Sequence, residues 1–216
     1  MERVTEEGTV ATANATAKLL SNLPSVGRPI RVMIYDLHTL QNRFYFGGNA
    51  NATLHSAFPL MIEKIKTDKS INCVAFPDDG AQKRYQHLFQ KYLPEIDFIV
   101  CGKKRDADDP SIRKIVINDG DAKGKNILIV DDMFQSGGTM TVCAKKLIQE
   151  GAISVSGFCT HAILPRNAQE RFISGDRSGV FKKLFVTNTF PTTTDQLPSG
   201  GVFEVLDISE QVLKDL

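Results

Sequence analysis

The chain has 216 residues and is 42% hydrophobic, which is room for one large domain or one and a half small ones and excludes a disordered chain. Its net charge of +1 leaves no global footprint for nucleic acid or an acidic partner. No apolar run reaches the roughly 18 residues of a membrane span, no signal or transit peptide is evident, and the four cysteines form no CxxC pair.

In chain order, the Ala-rich segment up to Pro24 predicts one helix over 1–23, and Pro24 to Pro29 is a connector. Residues 30–35 (IRVMIY) predict a strand that ends in Asp36-Leu37-His38. Residues 41–46 (QNRFYF) are short and aromatic, and Gly47-Gly48 breaks the chain. Apolar residues at 54, 57, 58, 61, 62 and 65 have helical spacing and predict a helix over 51–66. Strands follow at 72–76, 98–101, 114–117, 127–130, 155–160, 184–187 and 203–206. Helices are predicted over 81–92, after 139, and over the last eight residues. This alternation argues an α/β fold with a mainly parallel sheet flanked by helices. Cys73, Cys101 and Cys159 fall in strand-like runs and Cys143 in a helix-like run. They read as small core residues in a reducing compartment, so a cytoplasmic location is expected.

The most informative stretch is 126–139, NILIVDDMFQSGGT. Ile127 to Val130 show no alternation, as expected of a parallel strand covered on both faces. Asp131 and Asp132 stand at its end. The turn Gln135-Ser136-Gly137-Gly138-Thr139 then opens a helix, the layout of an anion site at a helix N-terminus. Gly137 and Gly138 allow close backbone approach, and Ser136 and Thr139 add hydroxyl donors. Carboxylates repel phosphate, so the two aspartates suit sugar hydroxyls or a cation lying between sugar and phosphates. A buried strand with an acidic helix cap is the plainer reading of the same residues; the full string favours a sugar-phosphate site.

Three other segments also follow the carboxyl ends of strands, where open α/β sheets bind ligands. Pro77-Asp78-Asp79-Gly80 opens a helix and suits either a hydrated cation on a diphosphate or a simple helix cap. Gly102-Lys103-Lys104-Arg105, followed by the acidic DADDP, suits a flap closing on transferring phosphates; alone it reads as a solvated basic surface. His38 suits a metal ligand, a phosphate donor or a structural histidine. His161 reads as a partner inside the sheet, and His55 and His87 receive no role.

Taken together and in this order, DLHTLQNRFYFGGN, FPDDGAQKR, GKKR and ILIVDDMFQSGGT resemble ribose-phosphate diphosphokinases, that is, phosphoribosyl diphosphate (PRPP) synthetases. The wording is most similar to their divergent, plant-type class, and the resemblance runs through nearly the whole chain. It implies a type I phosphoribosyltransferase fold at 67–216, preceded at 1–66 by the remnant of a second, similar domain whose missing part would supply most of the ATP adenine site. It implies transfer of diphosphate from ATP to the C1 hydroxyl of ribose 5-phosphate, giving PRPP and AMP, with Mg2+. Lys103 and Arg105 would be the catalytic cations. Asp131 and Asp132 would hold the ribose hydroxyls, and Gln135, Ser136, Gly137, Gly138 and Thr139 the 5-phosphate. Asp79 and Gly80 would lie on the ATP side, with His38 and Asp78 on the magnesium side. Gln135 departs from the acid that many members carry, and Asp79 from a small residue. Strand 30–35 is expected to lack a neighbour from the same chain, a bare edge that a partner covers unless the sequence is a truncated product. A homo-oligomer or association with a full-length homologue is expected, with no nucleic-acid or membrane partner. The alternatives are a non-catalytic subunit that binds ribose phosphate and a nucleobase phosphoribosyltransferase.

Overall fold

The computed structural model describes residues 12–105 and 113–216, in two compact units, Met1–Ser56 and Ala57–Leu216. The start of the expected first helix and the acidic DADDP lie outside the described residues.

In the first unit, helix α1 (Thr12–Ser21) is followed by strand β1 (Ile30–Tyr35), a 3₁₀ turn (Leu40–Tyr45) and strand β2 (Ala50–His55). β1 and β2 pair in parallel through their whole length, from Ile30 opposite Ala50 to Tyr35 opposite His55. Two expectations are corrected here. The residues read as one helix over 51–66 contain a strand and then a helix, and β1 therefore has a neighbour from its own chain. Leu54 fell by coincidence on the helical spacing. The helix cannot start so early, because Pro59 has no amide to donate and is tolerated only in a first turn.

The second unit runs α2 (Phe58–Thr67), β3 (Cys73–Phe76), α3 (Asp79–Tyr92), β4 (Asp97–Arg105), β5 (Arg113–Asp119), β6 (Asn126–Phe134), α4 (Gly138–Gln149), β7 (Ser154–Ala162), α5 (Glu170–Ile173), β8 (Leu184–Thr187), α6 (Pro191–Thr194), β9 (Phe203–Leu206) and α7 (Ser209–Asp215). Among the described residues its sheet has seven strands in the order β5-β4-β3-β6-β7-β8-β9. Every neighbouring pair is parallel except β4 with β5, so the expected α/β class holds. The boundary between the two compact units falls before α2.

Each face of the sheet has its own core, as the apolar runs require. On one face Phe58, Met61, Ile62 and Ile65 of α2 and Tyr85 and Phe89 of α3 pack on Val74, Leu128 and Val130. The Phe58 and Tyr85 rings stack there at 3.8 Å, and burial of each large ring is worth about 2–3 kcal/mol. On the other face Met140, Cys143, Ala144 and Leu147 of α4 pack on Ile127, Ile129 and Val155. Burial pushes the Cys73 thiol up to about 12, in keeping with an inert core residue.

Candidate functional site

β3 and β6 are neighbours, yet their outgoing connections diverge. The chain from β3 runs through α3 to β4 on one side, and the chain from β6 runs through α4 to β7 on the other. That divergence is a topological switch point, and it opens a crevice at the carboxyl ends of the two strands. The Pro77–Gly80 turn and the Gln135–Thr139 turn stand on either side of it.

Strand periodicity separates the two aspartates. β6 extends through both of them to Phe134, beyond the expected end at Val130. Leu128 and Val130 face α2 and α3, whereas Ile127 and Ile129 face α4. Alternation therefore turns Asp132 towards α3 and Asp131 towards α4. Asp132 is 5% exposed and accepts a hydrogen bond from Arg84 Nη1 of α3 on Oδ2 at 2.8 Å. Asp131 is half-buried, and its Oδ1 accepts the Asp132 amide at 2.9 Å. The two carboxylates therefore stand in different surroundings. Asp131 shares the α4 side with the turn that follows.

In that turn Gly137 has φ +71°, and a Cβ there would lie 2.5 Å from Phe172 Cζ and 2.8 Å from Phe134 Cζ. Both the backbone and the space demand glycine. Gly137 O accepts Thr141 Oγ1 at 2.7 Å and Thr141 N at 2.9 Å, which starts α4. Gln135, Ser136 and Thr139 are exposed around the first amides of the helix. Four N-terminal amides of a helix lack intrahelical acceptors and, with the helix dipole, favour an anion.

GKKR is not the start of a loop. It closes β4 and pairs antiparallel with β5, with Lys103 opposite Ile115, Lys104 opposite Lys114 and Arg105 opposite Arg113. The charges suggested a loop, but a ladder uses only the backbone and leaves exposed side chains to water. Ile115 belongs to the α4-side core, and directly opposed residues share a face. Lys103 is therefore exposed on the same side of the sheet as Asp131. β3 lies between their strands, so the strands are about 10 Å apart.

Asp78 caps α3, accepting the Ala81 amide at 3.0 Å. Asp79 and Gly80 form the exposed first turn of that helix. In the first unit Asp36 is 2% exposed with φ +44° and accepts Ser56 Oγ at 2.8 Å. His38 is exposed two residues later.

Residues 61–195 match the phosphoribosyl transferase domain family. The chain belongs to this family. Ribose-phosphate pyrophosphokinase 4 of Oryza sativa subsp. japonica is 39% identical over 98% of this chain and 65% of its own length. Ribose-phosphate pyrophosphokinase 4 of Arabidopsis thaliana is 38% identical over 98% of this chain and 62% of its own. The crystal structure of phosphoribosylpyrophosphate synthetase from Mycobacterium smegmatis superposes with a TM-score of 0.72 at 26% identity, covering 94% of this chain and 62% of that one. The chain thus spans a little under two thirds of these relatives. The type I phosphoribosyltransferase fold expected from the sequence is the fold observed.

Sequence reasoning missed two residues of this phosphoribosyl transferase domain. Arg84 is visible in the FPDDGAQKR string, but its pairing with Asp132 spans 48 positions and leaves no local signal. Arg177 sits in GDRSG, a stretch with no periodicity to mark it. Its Nη1 donates to Ser136 O in the turn before α4.

Proposed function

We propose that the chain acts as a ribose-phosphate diphosphokinase, transferring diphosphate from ATP to the C1 hydroxyl of ribose 5-phosphate. The observation that carries this reading is the shared side of one sheet rim. Lys103 at the end of β4 and Asp131 at the end of β6 lie on the same side of the sheet as α4 and the turn that opens it. Relatives named ribose-phosphate pyrophosphokinase, matched over nearly the whole chain, support it.

In the proposed reaction the C1 hydroxyl oxygen attacks the β-phosphorus of ATP. The bond to the oxygen bridging the α and β phosphates breaks, AMP leaves with that oxygen, and the hydroxyl proton passes to solvent. Little covalent work falls to the protein, so positioning and charge carry the rate. Lys103 and Arg105 stabilise charge on the transferring phosphoryl oxygens. Asp131 accepts hydrogen bonds from the ribose hydroxyls, while Asp132 stays bound to Arg84 and orients the strand end. Gln135 to Thr139 hold the 5-phosphate against the first amides of α4.

Magnesium takes one or two carboxylates plus phosphate oxygens and keeps several waters. The exposed carboxylates at the head of α3 fit that demand, and Asp78 with the Asp79–Gly80 turn would hold the ion on the ATP diphosphate. There it would neutralise phosphate charge. The first unit reads as part of a second α/β domain, and its parallel β1–β2 pair supports this. Half-exposed apolar residues on β1 support association with a second copy or a full-length homologue. The helices of the described residues include none long and apolar enough to cross a membrane, and the unbridged buried cysteines support a cytoplasmic location.

The test is AMP release from ATP plus ribose 5-phosphate, run on the chain alone and with a full-length homologue whose own activity has been abolished by mutation. AMP formation that requires both substrates is expected in at least one arm. Its absence from both sinks the catalytic reading; ribose 5-phosphate binding by calorimetry in that case leaves a non-catalytic subunit.

A further inference from the structure

Arg177 lies on the turn after α5, and that turn is built to hold it. Its amide donates to Arg171 O at 2.9 Å. The Arg171 fork grips Asp176 through Nε at 2.9 Å and Nη2 at 2.7 Å. Gly175 fits because a Cβ there would meet Arg171 Cα at 2.8 Å. The Arg177 guanidinium lies over the Phe172 ring, 5.3 Å from its centroid, and Phe172 is one of the two rings closing on Gly137. Nη1 donates to Ser136 O, and Nη2 lies 4.0 Å from where a Cβ of Gly138 would stand. The guanidinium thus borders the turn that runs from Ser136 through Gly137 to Gly138, the first residue of α4.

That position answers two needs of a phosphate site. The turn 135–139 carries no cation of its own. It also carries a carbonyl, Ser136 O, that would repel a phosphate if it faced one. A guanidinium satisfies the carbonyl, and its planar fork has further N–H donors matched to phosphate oxygens. Glycine at 138 puts no side chain between the guanidinium and the helix end.

We propose that Arg177 is part of the phosphate subsite, holding the Ser136 carbonyl away from the bound phosphate and supplying the cation that the turn lacks. The inference rests on the phosphate reading of that turn and extends it to a residue on a separate segment. The test is calorimetric titration of the whole chain with inorganic phosphate, ribose 5-phosphate and ATP with magnesium, using the native protein, Arg177→Ala, Arg177→Gln and Arg177→Lys. The Ala and Gln variants should bind both phosphate and ribose 5-phosphate about 10–100-fold more weakly. The Lys variant should recover part of the loss, and ATP affinity should hold. Arg177→Gln keeps a donor for Ser136 O without the charge, so it decides the matter if Arg177→Ala fails to fold. Native affinity for phosphate in Arg177→Gln overturns the inference alone. Equal losses for ribose 5-phosphate and ATP in every variant, with a lower melting temperature, also overturn it, because a structural prop would behave that way. A native chain that binds neither phosphate nor ribose 5-phosphate overturns the phosphate reading of the turn and this inference with it.

Discussion

β1 and β3 are both apolar strands in parallel sheets, yet they meet different fates. The four residues of β3, Cys-Val-Ala-Phe, are all buried, whereas not one residue of β1, Ile-Arg-Val-Met-Ile-Tyr, is fully buried. The sequences do not explain this. Among the described residues β3 lies inside a seven-stranded sheet with helices packed on both faces, while β1 has β2 as its one partner in a two-stranded sheet. Two strands alone cannot cover their own faces, and such sheets are marginal in water. Apolar character measures what a strand can contribute, and its neighbours decide how much of that is realised. The second unit therefore holds the larger buried core, on both faces of its sheet.

The comparison breaks most readily at Lys103. It is exposed, so Lys103→Ala should leave the melting temperature unchanged while AMP formation falls by about 10²–10³-fold; a fall below threefold would remove Lys103 from the chemistry. Arg84→Ala should destabilise the second unit by about 3 kcal/mol, because it removes an ion-pair partner of the buried Asp132 carboxylate. Urea unfolding measures this, and a loss under 1 kcal/mol would mean that water reaches Asp132. Gly137→Ala should cost about 1–3 kcal/mol through overpacking against Phe134 and Phe172 and a left-handed backbone, again read from urea unfolding.

Ser56→Ala tests the other side of the comparison. It removes the hydroxyl donor to buried Asp36 and should cost about 1 kcal/mol. Hydrogen exchange should quicken over β1 and β2 and not over β3 and β6; a uniform response would show the units unfolding together. The smallest effect belongs to Asp176. Hydrogen bonds from Arg171 hold its carboxyl below the ordinary value of 3.8, at about 2. A depressed folded-state value stabilises above the unfolded-state value, and that contribution is lost as pH falls through about 2. Because both partners are exposed, Asp176→Asn should change the melting temperature only slightly between pH 4 and 7, as differential scanning calorimetry would record.

Much of the site was legible because it is local. An apolar run with no alternation marks a strand covered on both faces, and two glycines after it mark a helix start with open amides. Gly137 meets both demands at once, so its place could be read before any contact was known. Two readings failed where local pattern misled. Leu54 completed a helical spacing but lies in β2, and the charges of GKKR hid the end of β4. In both cases a neighbouring strand supplied the backbone partners, and nothing in the segment itself reports that neighbour.

The residues by themselves determined most of the strands and helices of the second unit, the glycine turn before α4 and the presence of two acids beside it, because periodicity, glycine and helix-end chemistry act over a few positions. Only the tertiary structure decided that the acids part company across the sheet, that Arg84 takes Asp132 from 48 positions away, and that Arg177 reaches Ser136 from 41. Those pairings depend on which segments pack together, and no short stretch of chain carries that information.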